Sequence, residues 1–213
     1  MSLLLSPTAE TVLARTFSRA MTRAGEAIGE MSGREIRVET PDIRFCRLDQ
    51  VVGLAGGPES VVVGVYLGIT GSLTGHAVLL LDPLAAHRLA GLLLDGFVEK
   101  TARSGLPNAS LDFDDLELSA LQEVGNVTLG AFLNEIGRHL DEPVQPTVPQ
   151  AVIEMAGAIL DTILVDLVEE TDEFLAARTT FREGVDTIDG TLLVLPRPAS
   201  LSTLVEALGA ADR

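Results

Sequence analysis

Three short polar side chains, Ser119, Glu123 and Asn126, have a spacing that could support chemistry on one face of a helix. At about 100° per residue, offsets of 0, 4 and 7 fall within roughly 60° of one another. The apolar neighbours can then turn towards a core: Leu118, Leu121, Val124 and Leu129. The pattern predicts a polar strip along an amphipathic helix.

The adjacent residues Gly125 and Asn126 are unfavourable in the middle of a helix. Gly costs about 1 kcal/mol relative to Ala in a helix interior, and Asn costs about 0.7 kcal/mol. A buried or half-buried Asn also needs a hydrogen-bond partner for its amide. A helix that carries both residues is therefore expected to gain something else from them.

The strip Ser119-x-x-x-Glu123-x-x-Asn126, followed after 22 residues by Pro149, resembles the active-site signature of the CheC/CheX/FliY family, and of CheC in particular. The resemblance implies a phosphatase that acts on the phosphorylated chemotaxis response regulator CheY. It implies that Glu123 and Asn126 are catalytic and that Ser119 contacts the substrate. We interpret Pro149 as a scaffold residue that ends a loop and begins a strand, where its missing N–H is tolerated.

The chemistry implied by the resemblance is modest, because an acyl phosphate on an aspartate is already labile. The phosphatase needs to position a water in line and to stabilise charge. An amide donates and accepts simultaneously without titrating, which suits Asn126 for holding that water. Glu123 can pair with a lysine of the partner. The chain then needs no metal of its own, and we expect Mg²⁺ to belong to the response regulator.

The composition excludes several other functions. A net charge of −16 over 213 residues argues against nucleic acid and against an anionic membrane surface as partners. Cys46 is the single cysteine, so no internal disulfide can form, and we expect it to be a small buried hydrophobe. The first residues lack the basic charges of a signal peptide, and no apolar run reaches the length of a membrane span. We therefore expect a cytoplasmic protein.

Helical spacing predicts a long first helix over about residues 8–32, which Ser6 as N-cap and Pro7 at the first helical position begin well. The elements predicted to follow are strands at 34–38, 45–54, 61–69 and 76–81, and a short helix at 84–94. Gly71 and Gly75 bracket a predicted hairpin turn.

A linker at residues 98–112 precedes a second set of elements. These are a long helix over about 113–140, strands at 151–154, 159–168, 174–181 and 191–195, and a last helix at 200–208. Acidic residues cluster at the start of the long helix: Asp112, Asp114, Asp115 and Glu117. Acidic residues in a first turn complement the helix dipole, so we interpret this cluster as a helix start rather than a metal site.

The two sets of elements indicate an internal duplication. A shift of 108 pairs Leu13 with Leu121, Ile28 with Ile136, Gly29 with Gly137 and Pro41 with Pro149, and a shift of 115 pairs Gly75 with Gly190, Pro83 with Pro198 and Leu89 with Leu204. This agrees with the internal pseudo-symmetry of the family, and the resemblance covers nearly the whole chain. The resemblance implies an α+β, CheC-like fold of two pseudo-symmetric halves, with two long helices packed on a β-sheet. We expect a single domain over 1–213, with a degenerate half-repeat at 1–97 and the intact motif in the half-repeat at 113–213.

The first half departs from the motif. The shift of 108 places Thr11 where Ser119 lies, Arg15 where Glu123 lies, and Ser18 where Asn126 lies. A cation thus replaces a carboxylate, and a hydroxyl replaces an amide. If the motif is the active site, the chain has one such site, in its C-terminal half.

Other enzyme classes lack support in the residues. The three histidines, His76, His87 and His139, are scattered without a zinc-protease spacing, and the glycines of 53–57 lack the Lys-Ser/Thr ending of a P-loop. The alternative from another class is a non-catalytic chemotaxis adaptor. Such a protein would bind phosphorylated regulator, a flagellar switch component or the receptor deamidase CheD.

Overall fold

The computed structural model describes residues 7–94, 111–164 and 173–210. Within these ranges the helices are α1 (Pro7–Ser32), α2 (Leu48–Leu54), α3 (Pro83–Leu94), α4 (Asp115–Leu140), α5 (Ala156–Leu164) and α6 (Pro198–Ala210). The strands are β1 (Ile36–Arg47), β2 (Val61–Gly71), β3 (Gly75–Leu81), β4 (Val144–Pro146), β5 (Gln150–Met155), β6 (Glu173–Glu183) and β7 (Asp186–Pro196). The two predicted long helices, about 8–32 and 113–140, are confirmed as α1 and α4.

Strands from both halves of the chain form one antiparallel sheet. Its order is β1-β6-β7-β3-β2-β4, and β5 also pairs with β2. At one edge, β1 of the first half pairs with β6 of the second half. At the other edge, β5 of the second half pairs with β2 of the first half. The two halves meet in the middle, where β3 pairs with β7. The predicted α+β fold with a sheet built from both halves is confirmed.

The order of elements repeats along the chain and makes the two halves pseudo-symmetric. Each half runs helix, strand, helix, strand, strand, helix, with the second copy of the first strand divided into β4 and β5. Adding 108 to the bounds of α1 gives the bounds of α4, and adding 108 to the bounds of β1 gives the start of β4 and the end of β5. The pair Ile36 and Glu183 at one edge corresponds to the pair Val144 and Gly71 at the other.

Equivalent irregularities occur in both halves. The pairing of β1 shifts register between Glu39 and Asp42, which corresponds to the break between β4 and β5. Gly29 and Gly137, which the shift of 108 pairs, each accept a hydrogen bond from the backbone N–H five residues later. Such local agreement explains why a duplication with few identities still folds into matching halves.

The sheet is covered on both faces. On one face α1 and α4 pack side by side, and the rings of Phe17 and Phe132 lie 4.2 Å apart between their centroids. On the other face α2 and α5 cover a smaller cluster that contains Cys46. Within β3, Leu79 and Leu81 belong to the first cluster and Val78 and Leu80 to the second.

Burial on both faces explains the most apolar part of the chain, residues 77–94. It forms most of β3 and all of α3, and Asp82 lies between the two elements. No helix within 7–94, 111–164 or 173–210 combines the length and the apolar character that crossing a membrane needs. The predicted hairpin between β2 and β3 is confirmed, with positive φ at Gly71 and Gly75 of 104° and 146°.

Two predicted strands are wrong. Residues 48–54 of the predicted strand 45–54 form α2, and residues 159–164 of the predicted strand 159–168 belong to α5, while 165–168 lie outside the described residues. In α5 the buried residues are Ala156, Ile159, Leu160 and Ile163, a helical spacing that is hard to recognise in a short apolar run. Most of the linker predicted at 98–112 lies outside the described residues, so the division into half-repeats at that linker stays a prediction.

Candidate functional site

The helix α4, which carries the predicted site, begins at a complete capping box. Asp114 is the N-cap, and its carboxylate accepts a hydrogen bond from the Glu117 N–H at 2.7 Å, while Glu117 accepts one from the Asp114 N–H at 3.1 Å. These bonds satisfy donors that a helix start leaves without intrahelical partners. The interpretation of the acidic cluster as a helix start is confirmed.

A clasp from α3 holds this helix start in place. His87 Nδ1 lies 3.1 Å from Glu117 Oε1, and the His87 ring stacks on Phe113 with 3.8 Å between centroids and 2° between planes. Glu117 is only 4% exposed. This contact could not be predicted from the sequence, because His87 and Glu117 are 30 residues apart on different helices. The capping spacing of Asp114 and Glu117 was the only available signal.

The C-terminal part of α4 is tied to α1. Glu135, which is buried, forms an ion pair with Arg23 of α1 at 2.7 Å. The Oγ1 atom of Thr16 lies 2.7 Å from Nε2 of His139. With both ends of α4 fixed, the orientation of the polar face between them is fixed as well.

Gly125 brings the middle of α4 directly onto the sheet. A Cβ atom added at Gly125 would lie 2.4 Å from Cγ1 of Val65 in β2, so no larger residue fits without movement. The cost of about 1 kcal/mol for a mid-helix Gly is therefore offset by close packing of the helix on the strand. The close contact of Gly125 with Val65 is thus a compensation for an unfavourable residue in the middle of the helix, as expected from the sequence.

The three polar side chains lie on the face of α4 that points away from the core. Ser119 and Glu123 are exposed and Asn126 is half-buried, whereas Leu121 and Val124 between them are buried. Ser119 Oγ donates a hydrogen bond to the Asp115 carbonyl at 2.7 Å. The hydroxyl proton of Ser119 is therefore used in a hydrogen bond within the helix, and its oxygen can still accept a hydrogen bond from another group.

Glu123 and Asn126 keep their hydrogen-bonding groups available. Neither side chain forms a hydrogen bond or ion pair with any other residue that the structure describes. Around the helix at about 100° per residue, Asn126 lies roughly 180° from Glu135, the residue that faces α1. Asn126 therefore lies on the flank that faces the sheet edge formed by β5.

Pro149 lies at this same edge. Gly137 of α4 is next to Val144 in β4, and Gly125 is next to Val65, which pairs with Ala151 of β5. The segment from β4 to β5 therefore runs alongside α4 in the opposite direction. Pro149 is half-buried directly before β5, in the segment beside the Asn126 flank.

The first-half strip is exposed too, but its chemistry differs. Thr11, Arg15 and Ser18 are exposed on α1. Thr11 Oγ1 donates to the Pro7 carbonyl at 2.9 Å, which is the equivalent of the bond from Ser119 to Asp115. The hydrogen bond from the hydroxyl to the backbone is therefore common to both helices. The two strips differ in chemistry at the other two positions, where Arg15 replaces Glu123 and Ser18 replaces Asn126.

Other candidate chemistry is limited in the described ranges. No group of three or more His, Cys, Asp or Glu side chains within 7–94, 111–164 and 173–210 is arranged to hold a metal ion. Cys46 is buried, as predicted, and burial raises the pKa of its thiol although Arg44 acts in the opposite direction. A thiol with a raised pKa is a poor nucleophile at neutral pH.

Comparison with known proteins places this geometry in context. No family model matches the chain. The chain is 24% identical over 194 residues to the CheY-P phosphatase CheC of Bacillus subtilis (strain 168), and the match covers 88% of this chain and 87% of that protein.

Solved structures share the fold at lower identity. FliY of Thermotoga maritima gives a TM-score of 0.73 at 18% identity, with 97% of this chain and 98% of that chain covered. FliM in the FliM–SpeE complex of H. pylori gives 0.70 at 11% identity, with 98% of each chain covered. The CheX–CheY–BeF3–Mg complex of Borrelia burgdorferi gives 0.52 at 19% identity, with 86% of this chain and 96% of that chain covered. The resemblance to the CheC/CheX/FliY family and the CheC-like fold are confirmed.

Proposed function

We propose that this chain, which resembles the CheC/CheX/FliY family, removes the phosphoryl group from the aspartyl phosphate of a CheY-type response regulator. One observation carries the proposal. The α4 strip of Ser119, Glu123 and Asn126 is directed outwards, and Glu123 and Asn126 have no partner among the residues that the structure describes. The sequence similarity to a CheY-P phosphatase over 88% of the chain supports it.

Asn126 is proposed to position the attacking water. Its amide can donate to and accept from one water, which then attacks phosphorus while the bond to the aspartate oxygen breaks. Free phosphate and the aspartate carboxylate are the products. Asn126 is half-buried on a helix whose two ends are held by contacts with α3 and α1, and a fixed position of the amide favours in-line attack.

Glu123 is proposed to hold the regulator in register. It is exposed, one turn from Asn126, and its carboxylate can pair with a cation beside the phosphorylated aspartate. Ser119, one turn earlier, can accept a hydrogen bond from the partner. Mg²⁺ is expected to come with the regulator, where it would neutralise the phosphoryl oxygens.

The alternative is a docking protein that binds phosphorylated regulator or a flagellar switch component without turnover. The likeness to FliM, with a TM-score of 0.70, favours it because the same fold occurs in a protein that is not named as a phosphatase. The first half has already lost the motif, at Thr11, Arg15 and Ser18, and a docking protein would in addition have lost turnover at the α4 strip. Binding of CheD stays a prediction with no residues assigned to it.

Phosphate release from the regulator separates these functions. The CheY-type regulators of the source organism are phosphorylated, and each is mixed with the chain at one hundredth of its concentration. A phosphatase accelerates phosphate release over many turnovers. If no release above the spontaneous rate occurs but the chain binds a phosphorylated regulator, the docking function replaces the proposed one.

A further inference from the structure

Two apolar side chains lie exposed near the proposed catalytic strip, one on α4 itself and one in the segment that runs alongside α4. Leu116 is 48% exposed in the first turn of α4, and Val148 is 82% exposed between β4 and β5. Exposing a large aliphatic side chain forgoes about 25 cal/mol for each Å² of apolar surface left in water. Neither residue is required there by the chemistry of water positioning.

Leu116 belongs to the same helix face as the strip. Seven residues separate it from Glu123, which at about 100° per residue places the two within roughly 20° of one another. The distance along α4 from Leu116 to Asn126 is about 15 Å. Since the clasp of His87 on Glu117 fixes this first turn, the exposed position of Leu116 is fixed as well.

Val148 is held outwards by its neighbours. The Thr147 N–H donates to the Gly68 carbonyl at 2.8 Å, and the Gly68 N–H donates to Thr147 Oγ1 at 2.8 Å. Pro149 follows and restricts the backbone on the other side. Val148 therefore projects from an anchored segment at the sheet edge that the Asn126 flank faces.

The first half lacks both apolar residues. The shift of 108 that aligns the two strips places Thr8 at the position of Leu116 and Thr40 at the position of Val148. The half without the motif thus has a polar residue at each of the two positions. The apolar pair occurs together with the motif, as expected if both serve one interface.

We propose that Leu116 and Val148 are the apolar anchors that dock the phosphorylated response regulator over the strip. This inference rests on the proposed function and deepens it. The partner must be a folded protein that presents apolar side chains on two sides of its phosphorylated aspartate. Leu116 and Asn126 alone lie about 15 Å apart along α4, which exceeds a small acyl phosphate and suits a protein interface burying about 800 Å² per partner.

Polar substitutions test the two anchors against matched controls. The anchor variants are Leu116→Gln and Val148→Thr, and the controls are Met31→Gln in α1 and Val185→Thr in the β6–β7 turn, where the native side chains are 41% and 98% exposed. For each anchor variant we expect KM for phosphorylated regulator to rise about fivefold to tenfold, with kcat within about twofold of wild type. The controls should leave both constants and the melting temperature unchanged.

The outcomes distinguish this inference from the proposed function. If wild type accelerates phosphate release but the anchor variants keep its KM, the anchors are overturned and the phosphatase stands. If wild type shows no turnover but binds regulator loaded with beryllofluoride and Mg²⁺, and the anchor variants weaken that binding about fivefold, the anchors stand and the phosphatase fails. Absence of any binding by wild type overturns both, and a sedimentation change on Val148→Thr assigns the surface to a second copy of this chain instead.

Discussion

The helices α1 and α4 occupy equivalent places in the two halves but meet the sheet differently. Both are 26 residues long. In α4, Gly125 packs on Val65, whereas the equivalent residue of α1 is Phe17, which is fully buried and packs on Phe132. Adding 112 to the bounds of β2 gives the bounds of β6, so the strand residue equivalent to Val65 is Ala177. The helix that carries the motif therefore has a glycine where it meets Val65 of β2, a strand of the first half, and α1 has a phenylalanine at the equivalent position.

The charges of the two outward faces differ as well. On α1 both Arg15 and Arg19 are exposed and form no ion pair within the part of the chain that the structure describes. On α4 the position of Arg15 is taken by Glu123 and that of Arg19 by Val127. A partner that places a cation over Glu123 would meet repulsion from Arg15 in the equivalent pose. Two helices at equivalent places in one fold can therefore carry different outward faces, of which only that of α4 is suited to the proposed chemistry.

The largest effect is expected at Asn126. Asn126→Ala should lower kcat for phosphate release by at least about 100-fold, because a single preorganised hydrogen-bonding group often contributes that much. The melting temperature should stay or rise slightly, because Ala is the better helix former. Rapid-quench measurement of phosphorylated regulator, alongside thermal melts, checks both.

The matched control is Ser18→Ala, the equivalent position of α1. It should leave phosphate release at the wild-type rate. Equal losses from the two variants would show that both faces act and would remove the distinction between the halves.

A smaller effect is expected at Glu123. Glu123→Ala should lower kcat/KM about 10-fold to 100-fold, since losing a charge-assisted contact across an interface weakens both docking and geometry. Arg15→Ala, its counterpart, should change kcat/KM by less than about twofold because an exposed surface charge away from the site contributes little. Initial rates at 50 and 300 mM salt provide the check, and the salt dependence should be reduced in Glu123→Ala alone.

The close packing of α4 on β2 can be tested by substitution of Gly125. Gly125→Ala should lower the free energy of unfolding by about 1–3 kcal/mol in spite of its better helix propensity, because the new methyl group clashes with Val65. Adding Val65→Ala should make the double variant more stable than Gly125→Ala alone, since the two residues share one contact. Chemical denaturation of the two single variants and the double variant measures this coupling. Simple additivity of their effects would contradict the packing argument.

The long elements are predictable from the amino-acid sequence because their signals are local. Ser6 and Pro7 indicate the start of α1, and Asp114 with Glu117 that of α4. Gly71 and Gly75 mark the hairpin through the positive φ that they permit. The outward face of α4 followed from periodicity alone.

The remaining features depend on contacts between distant residues. The runs that form α2 and α5 are short and apolar, and only their position against the sheet decides between helix and strand. The reason for Gly125 lies 60 residues away at Val65. The clasp of His87 on Glu117 joins two helices across residues 95–110, which the structure does not describe. No periodicity within one segment can reveal such pairs.

The smallest effect, and the sharpest test of the comparison, comes from grafting the motif onto α1. The variant Thr11→Ser, Arg15→Glu and Ser18→Asn is made in the Asn126→Ala background, so that the second half contributes at most about 1% of wild-type turnover. We expect less than about 5% of wild-type kcat/KM, which corresponds to a loss of more than about 1.8 kcal/mol. The grafted side chains would still rest on a helix with Phe17 in place of Gly125, and Thr8 and Thr40 would replace the proposed anchors. Because the graft supplies the residue types but not their placement on the sheet, a water would not be held in line. Recovery of half the wild-type rate would show that the motif residues suffice and that the packing of α4 is irrelevant to its chemistry.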